Sequence, residues 1–187
     1  LLIKLETVPV LFNGNIIAVI SRHRDAVQMR SASRLEINYR EIAHKIYLMI
    51  SEGTFPIQNS IYRAESAPRV GDGLIRLDSN GSIVYASPNA RSAMSRAGWD
   101  TELDGHIFGT VLETIAINGG EATDETWSAI FSGKNLRRTD LDNGRAILDL
   151  LAIPLIEGSD RIGAIVLLRD VTELRRRDRA LLTKDAT

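Results

Sequence analysis

An α+β fold on a five-stranded antiparallel sheet is what this sequence predicts, and three observations carry the prediction. Asp78-Ser79-Asn80-Gly81 and Asp142-Asn143-Gly144 each separate two short apolar runs. That is the pattern of a β-hairpin, because Asn and Gly tolerate the positive φ of a tight turn. A third turn, Glu157-Gly158-Ser159-Asp160, sends the chain into a last apolar run at 161–169. The short helical segments fall together between the second and third strands, on one face of the sheet, and such segregation makes the class α+β.

Ahead of this sheet, residues 7–12 and 16–21 read as a hairpin across Asn13-Gly14-Asn15. A lone hairpin is marginal in water because its apolar face has nothing to bury against, so it belongs to something larger. The chain opens on Leu1 with no initiator Met, which reads as a start inside a longer protein. Residues 33–52 form the clearest helix, opened by the capping box Ser33-Arg34-Leu35-Glu36 and closed by Gly53 with Pro56 beyond. Leu35, Tyr39, Ile42, Ile46 and Met49 form one apolar stripe, which serves either packing within the chain or a seam with a second copy. Glu36 with Arg40 and Glu41 with Lys45 support its outer face. Residues 54–71 hold Pro56, Ser60, Ser66, Pro68 and Gly71 without periodicity, a linker composition that places the domain boundary there.

Within the sheet domain, Ser87 caps and Pro88 opens a helix over 88–97 that Gly98 ends. Residues 101–112 read as one or two short turns, and 124–132 as a helix capped by Thr123 and stopped by Gly133. The second hairpin joins 134–141 to 144–156. Segments 147–153 and 162–168 are apolar at odd and even positions alike, so both strands are expected to be covered on both faces. Asp170-Val171-Thr172-Glu173 is a capping box of the Asp-x-x-Glu form that turns the last strand directly into a helix through 184. Val171, Leu174 and Leu181 fall at a and d spacing, interrupted by Asp178, which implies a short, imperfect coiled coil. A helix coupled to the sheet through Asp170 would convert a small strand movement into rotation or register shift of its partner.

Two of these segments carry a resemblance. Asp78, Gly81, Tyr85 and Asn89 in the first hairpin and helix resemble the opening pattern of PAS sensor domains. Arg169-Asp170-Val171-Thr172-Glu173-Leu174 resembles their closing Asp-Ile/Val-Thr motif. The two lie about 95 residues apart, within the size of a small domain. More narrowly, the runs 68–78 and 167–177 resemble the sensor half of actinobacterial two-component histidine kinases of the PdtaS type, in which a GAF domain precedes the PAS domain and a kinase region follows it. The resemblance implies a GAF-like closing hairpin and helix at 1–53, a linker at 54–71, a PAS domain at 72–170 and the start of a coiled-coil linker at 171–187. It also implies a homodimer, a parent kinase using ATP and Mg, and phosphate passed to a response regulator of RNA-binding antitermination type. Asp170 and Thr172 at the junction, with Leu174 and Leu181 in the seam, are the expected signal-transmitting residues.

Composition bounds the rest. Of the 187 residues, 44% are hydrophobic and 25% charged, an ordinary globular balance, and a net charge of −1 argues against whole-chain binding to nucleic acid or acidic lipid. Without cysteine there is no disulfide, thiolate metal site, Cys nucleophile or cysteinyl flavin adduct. No apolar run approaches the ~20 residues that span a bilayer, and no signal peptide opens the chain, so the expected location is cytoplasmic.

No catalytic residue is expected in this chain. Ser132-Gly133-Lys134-Asn135 lacks the rest of a phosphate loop, and Gly71-Asp72-Gly73 precedes a strand instead of following one. His23, His44 and His106 have no metal-ligand spacing, and His44 lies off the apolar stripe, on a solvated face. The interleaved acids Glu173, Asp178 and Asp185 make Arg175-Arg176-Arg177 and Arg179 a solvated helix face. Tyr85, Asn89 and His106 are the polar candidates to line a small-ligand pocket; the competing reading is a filled core. The expected function is the sensory and dimerising segment of a cytosolic histidine kinase. A non-enzymatic PAS adaptor, or a sensor fused to a cyclic-dinucleotide enzyme, is the alternative.

Overall fold

The computed structural model describes residues 3–25, 31–55, 67–116 and 131–185. The chain divides into two compact units, Leu1–Ile61 with Leu155–Asp160, and Tyr62–Pro154 with Arg161–Thr187.

In the first unit, β1 (Ile3–Phe12) and β2 (Asn15–Asp25) form a two-stranded antiparallel sheet. The turn has two residues, Asn13 and Gly14, at φ 50° and 77°, whose twist matches that of the flanking strands. Both strands run longer than predicted because their polar ends pair: Glu6 stands opposite Arg22 and forms an ion pair with it. α1 (Arg34–Ser51) starts at the predicted capping box, with Ser33 Oγ accepting from Glu36 N at 3.2 Å and the Glu36 carboxylate accepting from Ser33 N at 2.8 Å. The predicted stripe is only partly interior. Ile42 and Met49 are buried and Leu35 and Tyr39 exposed, while Asn38 is buried with its amide donating to the Arg34 carbonyl at 2.9 Å.

The second unit is built on β3 (Gly73–Asp78), β4 (Ile83–Ala86), β5 (Arg137–Asp142), β6 (Ile147–Glu157) and β7 (Asp160–Asp170), in the antiparallel order β4-β3-β7-β6-β5. Its described helices are α2 (Pro88–Ala97), α3 (Phe108–Ala116) and α4 (Thr172–Asp185). The order places the first strand in sequence beside the last, with Gly73 opposite Leu168 and Asp78 opposite Gly163. Gly73 is required by close approach, since a Cβ there would lie 2.6 Å from the Ala90 Cα.

Three local differences from the sequence reading have physical causes. In the β3–β4 turn only Gly81 takes positive φ; Asn80 does not, because Asp78 Oδ1 accepts from the Asn80 and Ser82 amides at 2.8 and 2.9 Å and closes the turn with its side chain. Residues 101–112 are not merely short turns: α3 runs to Ala116, because Phe108, Val111, Leu112 and Ile115 share one buried face. β5 and β6 begin later than predicted, at Arg137 and Ile147, and the turn residue Asn143 is drawn into the interior. The predicted helix at 124–132 lies outside the described residues except for Phe131 and Ser132, which are helical.

Leu148, Leu150, Val166 and Leu168 from the sheet meet Phe108, Leu112 and Met94 from the helices in one core, and Phe131 packs edge-on against Phe108 at 4.9 Å. β6 is buried at every position from Ile147 to Leu155 except half-buried Leu151.

Candidate functional site

β7 ends at Asp170 and α4 starts at Thr172, so one residue separates sheet from helix. One Asp170 oxygen accepts from the Thr172 amide at 3.0 Å and from its hydroxyl; the other accepts from Arg96 Nε, on α2, at 2.7 Å. The Thr172 hydroxyl accepts in turn from the Ile147 N–H at 2.8 Å, and the Val171 N–H donates to the Ile147 carbonyl at 2.8 Å. The start of the exit helix is thereby latched to the first residue of β6. A hydroxyl at 172 both donates to Asp170 and accepts from Ile147, a combination open to Ser or Thr but not to Val.

The expected capping box takes a tighter form. Asp170 bonds the amide two residues on instead of three, the first helical bond runs from Arg175 N to Val171 O at 2.9 Å, and Glu173 pairs with Arg176 on the surface. Engaging Ile147 with the Thr172 hydroxyl pulls the turn in by one residue. Burial disfavours the charged form of Asp170, yet the hydrogen bonds from Thr172 and Arg96 outweigh it and hold the carboxyl below its ordinary value.

Further along α4, Arg175 donates to Asp140 at 2.9 Å and Arg179 to Asp142 at 3.2 Å, both on β5. These pairs are exposed and worth about 0–1 kcal/mol each, so the latch rather than the pairs fixes the helix. Leu174 and Leu181, the expected seam residues, are 59% and 62% exposed. An open groove of about 480 Å³ runs along the junction, lined by Arg96, Arg145, Asp170, Thr172, Glu173 and Leu174.

The candidate pocket residues are placed differently from one another. Tyr85 is buried in β4. Asn89 is exposed, and its amide donates to the Gly71 carbonyl at 3.1 Å. His106 is exposed and sits edge-on to Trp99 at 5.2 Å. Two of the three therefore stand at the surface, and His106 meets the Trp99 ring. His44 is exposed too, on the rim of an open recess of about 570 Å³ in the first unit, beside Glu6, Arg22, Arg40 and Tyr47.

Sequence reasoning missed Arg96 and Asn143. Arg96 lies at the end of α2, where a cation is favoured by the helix dipole, and nothing in its spacing ties it to Asp170. Asn143 donates from Nδ2 to the carbonyls of Ala97 and Ile115, at 2.7 and 3.1 Å, while its Oδ1 accepts from the Arg145 and Ala146 amides at 3.1 and 3.0 Å. An Asn one residue before a turn Gly was the available signal, and it reported the turn alone.

The chain is 42% identical over 99% of its length to the sensor histidine kinase PdtaS of Mycolicibacterium smegmatis, and 41% identical over 98% to that of Mycobacterium tuberculosis. This chain is a homologue of PdtaS-type sensor histidine kinases. It spans 38% of the length of each of these PdtaS relatives. A family model for the GAF domain of histidine kinase PdtaS matches residues 1–43. A solved structure of the sensor region of a sensor histidine kinase superposes with a TM-score of 0.74 at 36% identity, over 91% of this chain and 66% of that one. The PdtaS-type likeness therefore extends over both units, including the Asp170–Thr172 junction. Among the described residues no cluster of His, Asp and Glu could hold a metal ion, and no helix is long and apolar enough to cross a membrane.

Proposed function

We propose that this chain is the sensory and dimerising segment of a cytosolic two-component histidine kinase. The observation that carries the reading is the 42% identity over 99% of the chain to a sensor histidine kinase. The boundaries that go with it are a GAF-like remnant at 1–53, a linker at 54–71, a PAS domain at 72–170 and the start of a coiled coil at 171–187. The sheet order β4-β3-β7-β6-β5, with its first and last strands adjacent, supports the PAS reading. The latch supports the transmission step: a shift of Ile147 at the head of β6 acts on Thr172 through a hydrogen bond and turns the helix bearing Leu174 and Leu181. Those leucines would meet their counterparts in a homodimer, and the signal, from a small ligand or a partner, would reach an autophosphorylating His further along the parent. That parent would use ATP and Mg and pass phosphate to a response regulator of RNA-binding antitermination type.

The test is phosphate transfer from labelled ATP to the full-length parent, with this 187-residue segment as control. Acid-labile, base-stable label on the parent and none on the segment is expected. No label on a folded full-length protein would sink the kinase reading and favour a binding module.

A further inference from the structure

A charged ladder crosses the sheet on the face away from the core. Arg169, the residue before Asp170, donates to both oxygens of Asp72, at 2.8 and 2.7 Å, and to the Ala67 carbonyl at 3.0 Å. Asp72 also accepts from the Arg69 amide at 2.8 Å. The point where the chain enters the sheet domain is thus clasped to the point where it leaves. This clasp is largely out of solvent, with side chains 18% and 8% exposed. On β6 and β5, Arg138 grips both oxygens of Asp149. Arg138 and Asp149 line the same narrow space as Asp72 and Arg169, and Asp140 lies two residues from Arg138 on β5, on the same face of the strand. Asp140 pairs with Arg175 in the exit helix at 2.9 Å. The space between Asp72, Arg138, Asp149 and Arg169 measures about 10 Å³, room for no more than a single water. The charges fill it as a strut and leave no ligand site.

We infer that the Asp72–Arg169 clasp, with the Asp149–Arg138–Asp140 ladder behind it, carries the position of the incoming chain to the exit helix around the outside of the sheet. A displaced incoming segment takes Asp72 with it. Arg169 must then follow, moving Asp170, or be left as a poorly hydrated, unpaired charge, which is strongly disfavoured. An upstream unit would in this way set the exit helix without any change in the core. The inference rests on the transmission reading given above, and names its second input.

Hydrogen exchange of the α4 amides in the full-length protein tests it, comparing the parent with Asp72→Asn, Arg138→Gln and the charge swap D72R/R169D. Opening of the clasp is verified by faster exchange at the Asp72 amide, and folding by unchanged protection of β7. Exchange at Arg175 to Arg179 should rise about two- to fivefold in Asp72→Asn and in Arg138→Gln, and the swap should recover most of it. Unchanged α4 exchange in Asp72→Asn with the clasp open would overturn the ladder; if that variant does not fold, the same result in Arg138→Gln would do so. Absence of kinase activity in the parent would count against the kinase reading and leave the exchange result to judge the ladder.

Discussion

Asn143 in the β5–β6 turn donates its side-chain amide to the main-chain carbonyl of Ala97 at the end of α2, 2.7 Å away and 46 residues distant in sequence. The same amide reaches Ile115 near the end of α3. One buried side chain therefore satisfies carbonyls that two helix ends leave open, and ties both helices to the sheet. Replacing it with Leu leaves those carbonyls and the Ala146 amide unmet, and should cost about 2–4 kcal/mol in urea unfolding. A loss below about 0.5 kcal/mol would show that water replaces the amide without penalty.

Thr172→Val removes one hydroxyl at nearly constant shape. The Ile147 N–H loses its acceptor, a defect worth about 1–3 kcal/mol, while Thr172→Ser should stay within about 1 kcal/mol of the parent. Denaturant midpoints of the three proteins decide this, and equal midpoints for Val and Ser would mean that the latch does not bear on stability.

The Asp72 carboxyl gives a pH signature. Burial raises its pKa, but the Arg169 and Arg69 hydrogen bonds prevail and leave it below the ordinary value of 3.8. A carboxyl with a folded pKa below its unfolded one contributes stability that is present above the unfolded value and lost as pH falls through the folded one. Unfolding midpoints measured from pH 5 downward should therefore fall less steeply in Asp72→Asn than in the parent. Parallel curves would remove Asp72 from the acid response.

Gly73→Ala places a Cβ 2.6 Å from the Ala90 Cα and 2.8 Å from Leu168 Cδ2. Leu168 can give way by rotating, but the α2 backbone cannot, so the substitution should cost about 3 kcal/mol by thermal or urea unfolding. Gly81→Ala is the useful contrast: nothing lies within 4 Å of its added Cβ, and the cost comes from φ 82° alone.

Much of the fold was legible because local chemistry reports itself. The Ser33 to Glu36 capping box, Pro88 and Gly98 at the ends of α2, and the turn at Asn13-Gly14 each follow from hydrogen bonds or φ preferences within a few residues. α3 was missed because its buried face was divided between a presumed stop at Leu112 and the residues after it. At the candidate site, Asp170 and Thr172 were legible as a motif, but not their partners Arg96 and Ile147.

What the sequence determined alone is the alphabet of elements: where strands turn, where helices open and close, and that the last strand runs into a helix at Asp170. Tertiary structure alone decided which distant groups complete one another. Arg169 meets Asp72 across 97 residues, Thr172 meets Ile147 across 25, and Asn143 rather than any core hydrophobe joins two helix ends. Hydrogen bonds reach about 3 Å, so such partners are chosen only once the strand order has brought them together, and no spacing along the chain encodes that distance.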